Sequence, residues 1–416
     1  MLYFQAVLGI ILIVGLAWAL SENRRAFPWR TAAVGLTIQF ALAALLIKVP
    51  GSQIVFEWIG DGVDALVRST EAGTTLVFGF LGGGALPFEE SYPGAAFVFA
   101  FRSLPLVIFI GALSAVLYHY RVLPLIVRGF AFVLSKTLNI SGAASFSTAA
   151  NVFIGMVEAP LLVRPYLQNM SRSDLFIVMT GGMATIAGTV FVLFSVILEG
   201  IIPDPAGHLL TASIISAPAA VVIALILIPR ADDTVDETRV EFAKLYDNGI
   251  DALTRGTIDG LRLFAYIVGM LIVFVALVEL ANIILGAFPD VDGADLTMQR
   301  IFGWVLAPVV WVLGIPWSDA IDAGQLLGTK VVLNELVAYI DMSNLPQGAL
   351  SEKSALIMAY AICGFANFGS AGILIGGLAA IVPERRGELA QLGLKSIMAG
   401  TMATCMTGAL AGLLFW

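Results

Sequence analysis

Charged residues are scarce in this chain of 416 residues. Asp, Glu, Lys and Arg together make up 12% of it, and 59% of the residues are hydrophobic, whereas about a quarter of a soluble domain is charged. The low charge and the recurring long apolar runs exclude a soluble enzyme with a single anchor and predict an all-α polytopic membrane protein. The net charge of −8 indicates no particular partner, and we expect no nucleic acid to bind.

Cysteine and histidine are equally rare. The two cysteines, Cys363 and Cys405, lie in apolar segments, which supports neither a disulfide framework nor a zinc site. The two histidines, His119 and His208, are far apart in sequence, and we expect neither to bind a metal. Walker, HExxH, GxSxG and haem signatures are missing from the sequence, so ATP-driven transport and intramembrane proteolysis lack their residues. We therefore expect no enzyme activity and no cofactor.

About eight apolar segments are long enough to cross a hydrocarbon core of roughly 30 Å. They lie at residues 3–20, 31–48, 95–118, 174–199, 208–229, 262–286, 354–381 and 394–415. The first segment lacks a basic start and an A-x-A cleavage pattern, so we expect a retained spanning helix and not a signal peptide. Residues 51–80 carry apolar residues at helical spacing with charged residues between them, which predicts an amphipathic helix in the membrane interface.

Two further segments, 130–167 and 301–340, are apolar at both ends and polar, or interrupted by glycine and proline, in the middle. Each predicts two half-length helices that meet at a break, as in a re-entrant hairpin that returns to the side it left. With both termini outside, most of the 22 basic residues lie on the inner side, as the positive-inside rule requires. This topology holds only if the two hairpins enter the membrane from opposite faces.

An interrupted apolar span follows each hairpin: TGGMATIAGTV at 180–190 and AICGFANFGSAG at 361–372. An offset of 182 residues places Gly182 on Gly364 and Thr185 on Asn367. The order of span, hairpin, broken span and span thus occurs twice with opposite topology. This predicts an inverted repeat with two broken helices and a binding site at the midplane between the repeats.

Two carboxylates, Glu158 and Glu335, stand beside the predicted hairpin breaks. An acid at bilayer depth costs at least ~2.5 kcal/mol on insertion scales and is usually functional. Two carboxylates can accept several hydrogen bonds, which suits a polyhydroxylated or amide-bearing solute. The alternative is that each belongs to a structural ion pair, Glu158 with Arg164 and Glu335 with Lys330.

Other polar residues cluster at the two broken spans. Asn367 and Ser370 add hydrogen-bonding groups in the second span, and Phe365 adds a ring that suits a planar ligand. In the first half, Asn151 and Thr185 offer oxygen ligands, which a hard cation such as Na⁺ prefers. The alternatives are core packing for Phe365 and helix–helix hydrogen bonding or capping for the polar residues.

Three motifs resemble the bacterial branch of the concentrative nucleoside transporters. They are GMVEAPLLVRPYL at 155–167, GTKVVLNELVAY at 328–339 and ICGFANFGSAGI at 362–373, and the resemblance covers nearly the full chain. It implies a homotrimer in the bacterial cytoplasmic (inner) membrane, with a fixed scaffold and a mobile transport domain. It also implies nucleoside uptake by sodium or proton symport through an elevator-like movement.

The resemblance assigns a site residue by residue. The substrate residues are Asn334, Glu335, Asn367 and Ser370 on the ribose side, Phe365 against the base, and Met156, Val157 and Glu158 at the base end. The cation ligands are the side chains of Asn151 and Thr185 and the carbonyls of Ile154 and Ile186. Proton-coupled members tend to lose these oxygens, so their presence favours sodium as the coupling ion.

The chain departs from the family pattern at the base end. Family members usually carry Gln-Thr where Met156 and Val157 stand, so two hydrogen-bonding side chains have become apolar. We therefore expect base recognition that is weaker, or shifted toward purines or a modified nucleoside. Gly369 also stands where a serine is common.

The predicted domain organisation separates scaffold from transport segments. The predicted scaffold consists of two N-terminal helices (1–50), an interfacial helix with an outer loop (51–94) and single helices at 95–129 and 262–300. The predicted transport domain consists of residues 130–230 and 301–416, and a charged cytoplasmic loop covers 231–261. Three alternatives stay open. They are the same machine moving a modified nucleoside or a nucleobase, coupled to sodium or to protons; a gated channel; and a membrane enzyme using Glu158 and Glu335 as acid and base.

Overall fold

The computed structural model describes residues 2–49, 51–90, 95–230, 245–291 and 293–414. Within these ranges the chain forms nineteen α-helices and no β-strand. Residues 231–244 of the predicted charged loop and residues 91–94 of the predicted outer loop lie outside the described residues. The helical, polytopic character predicted from composition is therefore confirmed for the described part of the chain.

Three long helices open the chain. They are α1 Leu2–Ala19, α2 Trp29–Lys48 and α3 Ser52–Phe78. The third covers most of residues 51–80, for which we predicted an amphipathic helix in the membrane interface. It buries Phe56 and Val63 and exposes Trp58 and Leu76, and its place in the interface stays a prediction.

Two series of helices follow, and both have the same order of structural parts. The first consists of α4 Phe99–Arg102, α5 Leu106–His119, α6 Val122–Leu138, α7 Gly142–Asn151, α8 Glu158–Leu161, α9 Arg164–Leu167, α10 Arg172–Ala184, α11 Gly188–Ile197 and α12 Pro205–Leu227. The second consists of α13 Gly249–Leu285, α14 Met298–Val312, α15 Ala320–Val332, α16 Glu335–Ser343, α17 Glu352–Ile362, α18 Phe368–Ile381 and α19 Arg386–Leu414. Each series runs from a spanning helix through an apolar helix, a pair of half-length helices and a broken span to a last long helix.

Both half-helix pairs begin later than we predicted. The predicted segments 130–167 and 301–340 include the ends of α6 and α14, which are separate helices in the structure. Asn139, in the left-handed region at φ 52°, ends α6, and Gly314 at φ 102° follows α14. Hydropathy alone merges each of these helices with the half-helix that follows, because both are apolar and only a short left-handed turn separates them.

Six helical stretches among the described residues are long and apolar enough to cross a membrane. They are Trp29–Lys48, Phe99–His119, Arg172–Ile197, Pro205–Leu227, Gly249–Leu285 and Pro383–Leu414. The other two predicted spans are α1 and the broken pair α17–α18, whose apolar parts are shorter.

Helices α5 and α13 pack along a seam of glycines. A Cβ atom at Gly256 would lie 2.6 Å from the Cβ of Ala115 and 2.8 Å from the carbonyl oxygen of Gly111. A Cβ at Gly260, one turn further, would lie 2.7 Å from the Cα of Ile108. Small residues four positions apart allow two helix backbones this close an approach. The most apolar part of α13 is otherwise open to its surroundings, so this seam fixes its orientation.

Helices α1 and α2 pack against the last helices of both series. Gln39 donates a hydrogen bond from Nε2 to the Thr407 hydroxyl at 3.1 Å, and Glu22 accepts one from Lys395 Nζ at 2.5 Å. A Cβ at Gly35 would lie 2.2 Å from a methyl carbon of Val222. We predicted residues 1–50 as part of the scaffold, but this packing favours grouping them with α12 and α19.

Candidate functional site

The break in the first half-helix pair depends on Gly155. Its φ of +137° lies in a region that L side chains rarely adopt, and glycine adopts it without a steric penalty. A Cβ atom at this position would lie 2.6 Å from Oε2 of Glu158. The glycine therefore both turns the chain and leaves room for the carboxylate that follows it.

Both predicted carboxylates hold the same place in their series. Glu158 is the first residue of α8, and Glu335 is the first residue of α16, so each begins the second half of its pair. Glu158 is exposed and Glu335 is 6% exposed. Neither carboxylate makes an ion pair with another described residue. Lys330, the candidate partner of Glu335, donates a hydrogen bond to the Thr404 hydroxyl at 3.4 Å instead. The structural ion pairs considered from the sequence are absent from the described residues.

Two asparagines cap helices of the second series: Asn334 at the start of α16, in the half-helix pair, and Asn367 at the start of α18, in the broken span. Asn334 accepts a hydrogen bond at Oδ1 from the Val337 amide at 2.8 Å, and Asn367 accepts one from the Ser370 amide at 2.7 Å. Asparagine is a favoured N-cap because its side chain satisfies a main-chain donor that the helix leaves unpaired. Asn367 also donates from Nδ2 to Oε2 of Glu335 at 3.0 Å. One buried amide thus fixes both the start of α18 and the position of the carboxylate.

All eight predicted substrate residues line one cavity of about 760 Å³. They are Met156, Val157, Glu158, Asn334, Glu335, Phe365, Asn367 and Ser370, and Ile154 lines it as well. The side chains of Arg255 and Asp259, near the N-terminal end of α13, are exposed and line the same cavity. The cavity therefore reaches the surface beside that end of α13.

One wall of this cavity was not predicted from the sequence. It comes from α5, α13 and the residues before α13, and includes Ser114, Tyr118, Tyr246, Tyr266 and Phe274. Phe274 lies close to the second break, since a Cβ at Gly369 would be 3.1 Å from its Cζ. The spacing of Gly256 and Gly260 marks a packing face of α13, but no sequence signal shows which face meets the cavity.

The apolar pair at the base end packs against glycines. The Cβ of Met156 lies 3.2 Å from the place a Cβ would take at Gly182, and Cγ1 of Val157 lies 2.8 Å from that place at Gly377. These contacts fill the space between the first break and two neighbouring helices. Both side chains therefore present carbon, and no hydrogen-bonding atom, to the cavity.

The predicted cation ligands come from two neighbouring breaks. Asn151, the last residue of α7, donates from Nδ2 to the carbonyl of Gly181 at 3.2 Å and contacts the hydroxyl of Thr185, the first residue after α10. The Phe153 carbonyl accepts a hydrogen bond from the Gly188 amide at 3.1 Å and so ties the two breaks together. Ile186 is buried, and its amide donates to the Ser213 hydroxyl at 3.3 Å.

One acceptor at this place has no partner. Oδ1 of Asn151 is buried and forms no hydrogen bond with any described residue. A buried acceptor without a partner costs about 1–3 kcal/mol. Since the donor end of the same amide already faces oxygens, the free end fits a cation that accepts oxygen ligands.

The two broken spans touch each other main chain to main chain. A Cβ at Gly364, in the second break, would lie 3.0 Å from the carbonyl carbon and oxygen of Ala184, the last residue of α10. It would also lie 2.7 Å from Cγ2 of Thr404. The proposed cation ligands and the proposed substrate residues therefore adjoin at this crossing.

Comparison with known proteins gives one consistent result. Three family models match consecutive parts of the chain: the Na⁺-dependent nucleoside transporter N-terminus at residues 8–81, nucleoside recognition (Gate) at 100–200, and the Na⁺-dependent nucleoside transporter C-terminus at 208–412. The nucleoside permease NupC of Helicobacter pylori is 36% identical over 414 residues, which cover 98% of this chain and 97% of that protein. The sodium/nucleoside cotransporter 1 of Rattus norvegicus is 34% identical over 98% of this chain and 63% of its own length.

Solved structures agree with this result. The structure of CNTnw in an inward-facing substrate-bound state matches with a TM-score of 0.90 and 36% identity, over 100% of this chain and 98% of that one. An outward-facing state of a CNTnw variant matches with a TM-score of 0.91 over the same shares. These matches confirm the resemblance inferred from the three motifs, and transporters of this kind are not enzymes. The chain belongs to the Na⁺-dependent nucleoside transporter family.

Proposed function

We propose that this protein imports nucleosides by sodium symport through an elevator-like alternating-access movement. The observation that carries this proposal is the pairing of Glu335 with Asn367 inside the cavity, next to the crossing where Asn151 presents a free oxygen. A polar solute and a cation would each satisfy groups that the protein leaves unpaired.

The sugar end of the solute fits the second break. Glu335 accepts only one hydrogen bond from another side chain among the described residues, from Asn367. An ionised carboxylate has about four lone-pair positions, so it has room for two neighbouring hydroxyl donors. Ser370 lines the same wall. A ribose, with adjacent hydroxyls, supplies donors in this arrangement.

The base end fits the first break. Glu158 faces the cavity and can accept a hydrogen bond from an N–H group, whereas Met156 and Val157 offer only apolar contact. This combination favours discrimination by shape over a full hydrogen-bond pattern. It also favours a second candidate, a purine or modified nucleoside carried by the same machinery.

The coupling ion fits the neighbouring break. Asn151 and Thr185 supply side-chain oxygens, and the carbonyls of Ile154 and Ile186 lie on the adjoining non-helical segments. Sodium accepts such oxygen ligands at unwound helix ends. The names of the matched families and relatives also refer to sodium, which supports sodium over protons.

Two packing groups support an elevator. Helices α5 and α13 contact each other closely. The half-helix pairs pack on the broken spans, the broken spans pack on α12 and α19, and these two helices pack on α1 and α2. The first group would be the scaffold, with its exposed apolar α13 face available to neighbouring copies in a homotrimer. The second group would move with both ligands. With both termini outside in a bacterial cytoplasmic membrane, the cavity opens beside the charged inner loop, so this conformation faces inward.

The decisive experiment is uptake by purified protein in sealed vesicles. Labelled uridine uptake is measured with an inward sodium gradient, with sodium equal on both sides, and with a proton gradient alone, and a panel of nucleosides and bases competes. We expect accumulation above the outside concentration only with the sodium gradient, and recovery of intact uridine. Flux without accumulation would indicate a channel, an altered product an enzyme, and collapse by a protonophore without any response to sodium would indicate proton coupling.

A further inference from the structure

Lys330 carries a charge that the transport site does not use. It is fully buried in the last turn of α15 and does not line the cavity. Its hydrogen bond to the Thr404 hydroxyl, at 3.4 Å, is the one it makes with the described residues, although an ammonium has three donors. A buried charge is costly unless other charges or dipoles compensate it. Something in the surroundings must favour a cation here.

The position of Lys330 corresponds to the cation site of the first series. There, Asn151 ends the first half-helix and contacts Thr185, the first residue after the helix that breaks. In the second series, Lys330 lies in the last turn of the first half-helix and donates a hydrogen bond to Thr404. Thr404 also touches the interruption after α17, since its Cγ2 lies 2.7 Å from the place a Cβ would take at Gly364. Both places therefore join the C-terminal end of a half-helix to the start of a break.

The local electrostatics are alike at the two places. The C-terminal ends of two helices lie near each other at each place. Asn151 and Thr185 join the ends of α7 and α10, and Lys330 and Gly364, at the ends of α15 and α17, both contact Thr404. Helix C-termini carry partial negative charge and favour a cation. The first place presents an unpaired oxygen of Asn151, whereas the second presents the ammonium of Lys330. One place requires a cation from solution, and the other contains one in the chain.

We propose that Lys330 is the built-in counterpart of the coupling ion. Its ammonium occupies, in the second series, the place that sodium takes in the first, and its positive charge favours the Glu335 carboxylate that receives the sugar hydroxyls. Glu335 begins α16, five residues after Lys330 in the same half-helix pair. Lys330 is thus a positioning residue, and the second series needs no ion of its own. This inference rests on the proposed sodium symport.

The test compares two variants that remove the charge. Lys330→Met keeps most of the volume, and Lys330→Ala leaves space for a small cation. Uridine binding to purified protein is measured calorimetrically across a range of sodium concentrations. An opposite charge within a few ångströms favours a carboxylate by roughly one to three orders of magnitude. We therefore expect Lys330→Met to weaken uridine binding by at least about tenfold at every sodium concentration.

The sodium curve of Lys330→Ala gives a readout that a packing role would not change. We expect a hyperbolic curve for the wild type and a sigmoidal curve for Lys330→Ala, because a second sodium enters the vacated place. Uridine binding should then recover at high sodium. A wild-type affinity in Lys330→Met, or a hyperbolic curve in Lys330→Ala, overturns the proposal. If the wild type binds uridine with the same affinity at every sodium concentration, the proposed sodium symport is wrong. In that case the uridine affinity and the melting temperature of Lys330→Met still test whether the charge of Lys330 supports Glu335.

Thermal stability covers the case in which the single variants fold poorly. An unpaired buried carboxylate destabilises a protein, so Glu335→Gln should restore stability to Lys330→Met. We expect the double variant to have a higher melting temperature than Lys330→Met, or to accumulate where Lys330→Met does not. If Glu335→Gln alone folds and neither protein with Lys330→Met does, Lys330 is a packing residue and the proposal is wrong.

Discussion

Gly155→Ala isolates the geometry of the first break. The native φ of +137° at this position is outside the regions open to alanine, and holding a side chain there costs on the order of 1–3 kcal/mol. The new methyl group would also lie 2.6 Å from Oε2 of Glu158 and 3.4 Å from the Cβ of Ala187. The first distance is far inside van der Waals contact, so the carboxylate must leave its place.

The expected result is a loss of uridine binding larger than the loss of stability. If the chain relaxes by reshaping the break, Glu158 no longer faces the base, and a strain of about 1.4 kcal/mol already corresponds to tenfold in affinity. We expect the dissociation constant of uridine, measured calorimetrically, to rise by about tenfold to a hundredfold on the same scale. The thermal melting temperature should fall by only a few degrees, since about 1 kcal/mol shifts the melting temperature of a large domain by roughly 2–4 °C.

Gly129→Ala is the matched control. Gly129 lies within α6, has open space where a Cβ would be, and is exposed. Alanine in a helix interior is favoured over glycine by up to about 1 kcal/mol, so this variant should bind uridine as the wild type does. If Gly155→Ala binds uridine with unchanged affinity, the argument that this glycine positions the carboxylate is refuted.

Three other variants test separate parts of the site, and a fourth tests an ion pair outside it. Glu335→Gln removes a charged acceptor worth about 1.5–3 kcal/mol per hydrogen bond. The affinity for uridine, measured calorimetrically, should therefore fall by at least about tenfold, while the purified protein keeps its oligomeric state. An unchanged affinity contradicts the assignment of Glu335 to the ribose. Asn151→Ala should raise the sodium concentration that half-saturates uptake, and an identical sodium curve removes this residue from the cation site. The double change Met156→Gln with Val157→Thr should alter the ranking of uridine and adenosine in competition assays, and an unaltered ranking shows that these positions do not select the base. The Arg172 guanidinium that hydrogen-bonds Glu22 lowers the pKa of this carboxyl. The pair therefore stabilises the protein at pH values above the usual pKa of Glu, and this stabilisation is lost as the pH falls through the lowered pKa. Glu22→Gln should remove this part of the acid sensitivity, which is worth less than about 1 kcal/mol, and an unchanged profile of thermal stability across acidic pH contradicts it.

The sequence located the residues that line the cavity better than it located the helix boundaries. Glu158 and Glu335 were identifiable because a carboxylate in an apolar run has few explanations other than function. Asn367 was identifiable because polar residues interrupted a spanning segment. Such local contrasts survive folding, since each depends on one residue and its chain neighbours.

Long-range packing could not be predicted in the same way. The assignment of residues 1–50 to the scaffold rested on chain order, and the contact between Gln39 and Thr407 joins positions far apart in the chain. The wall formed by Tyr118 and Phe274 depends on how α13 is rotated about its axis. In the apolar part of that helix, hydrophobic residues lie on nearly all sides, so their periodicity indicates no preferred face.

The offset of 182 residues that related the broken spans has a structural limit. The first broken span is interrupted at residues 185–187 and the second at residues 363–367, so no single offset superimposes both ends of both interruptions. The sequence match nevertheless located the two interruptions, because small and polar residues are common to both. The unequal lengths leave more non-helical backbone in the second interruption than in the first.

The contact between Gly364 and Ala184 bears on how faithfully the carrier couples its two cargoes. No side chain intervenes between the two peptides, so in the proposed symport the elements that would recognise the ion and the solute move together. Both would then be carried by the same displacement, and a half-loaded crossing would have to move an incomplete site together with a complete one. A fixed ratio of ion to solute would then follow from the contact between the two backbones, without a separate element that detects whether the second ligand has bound.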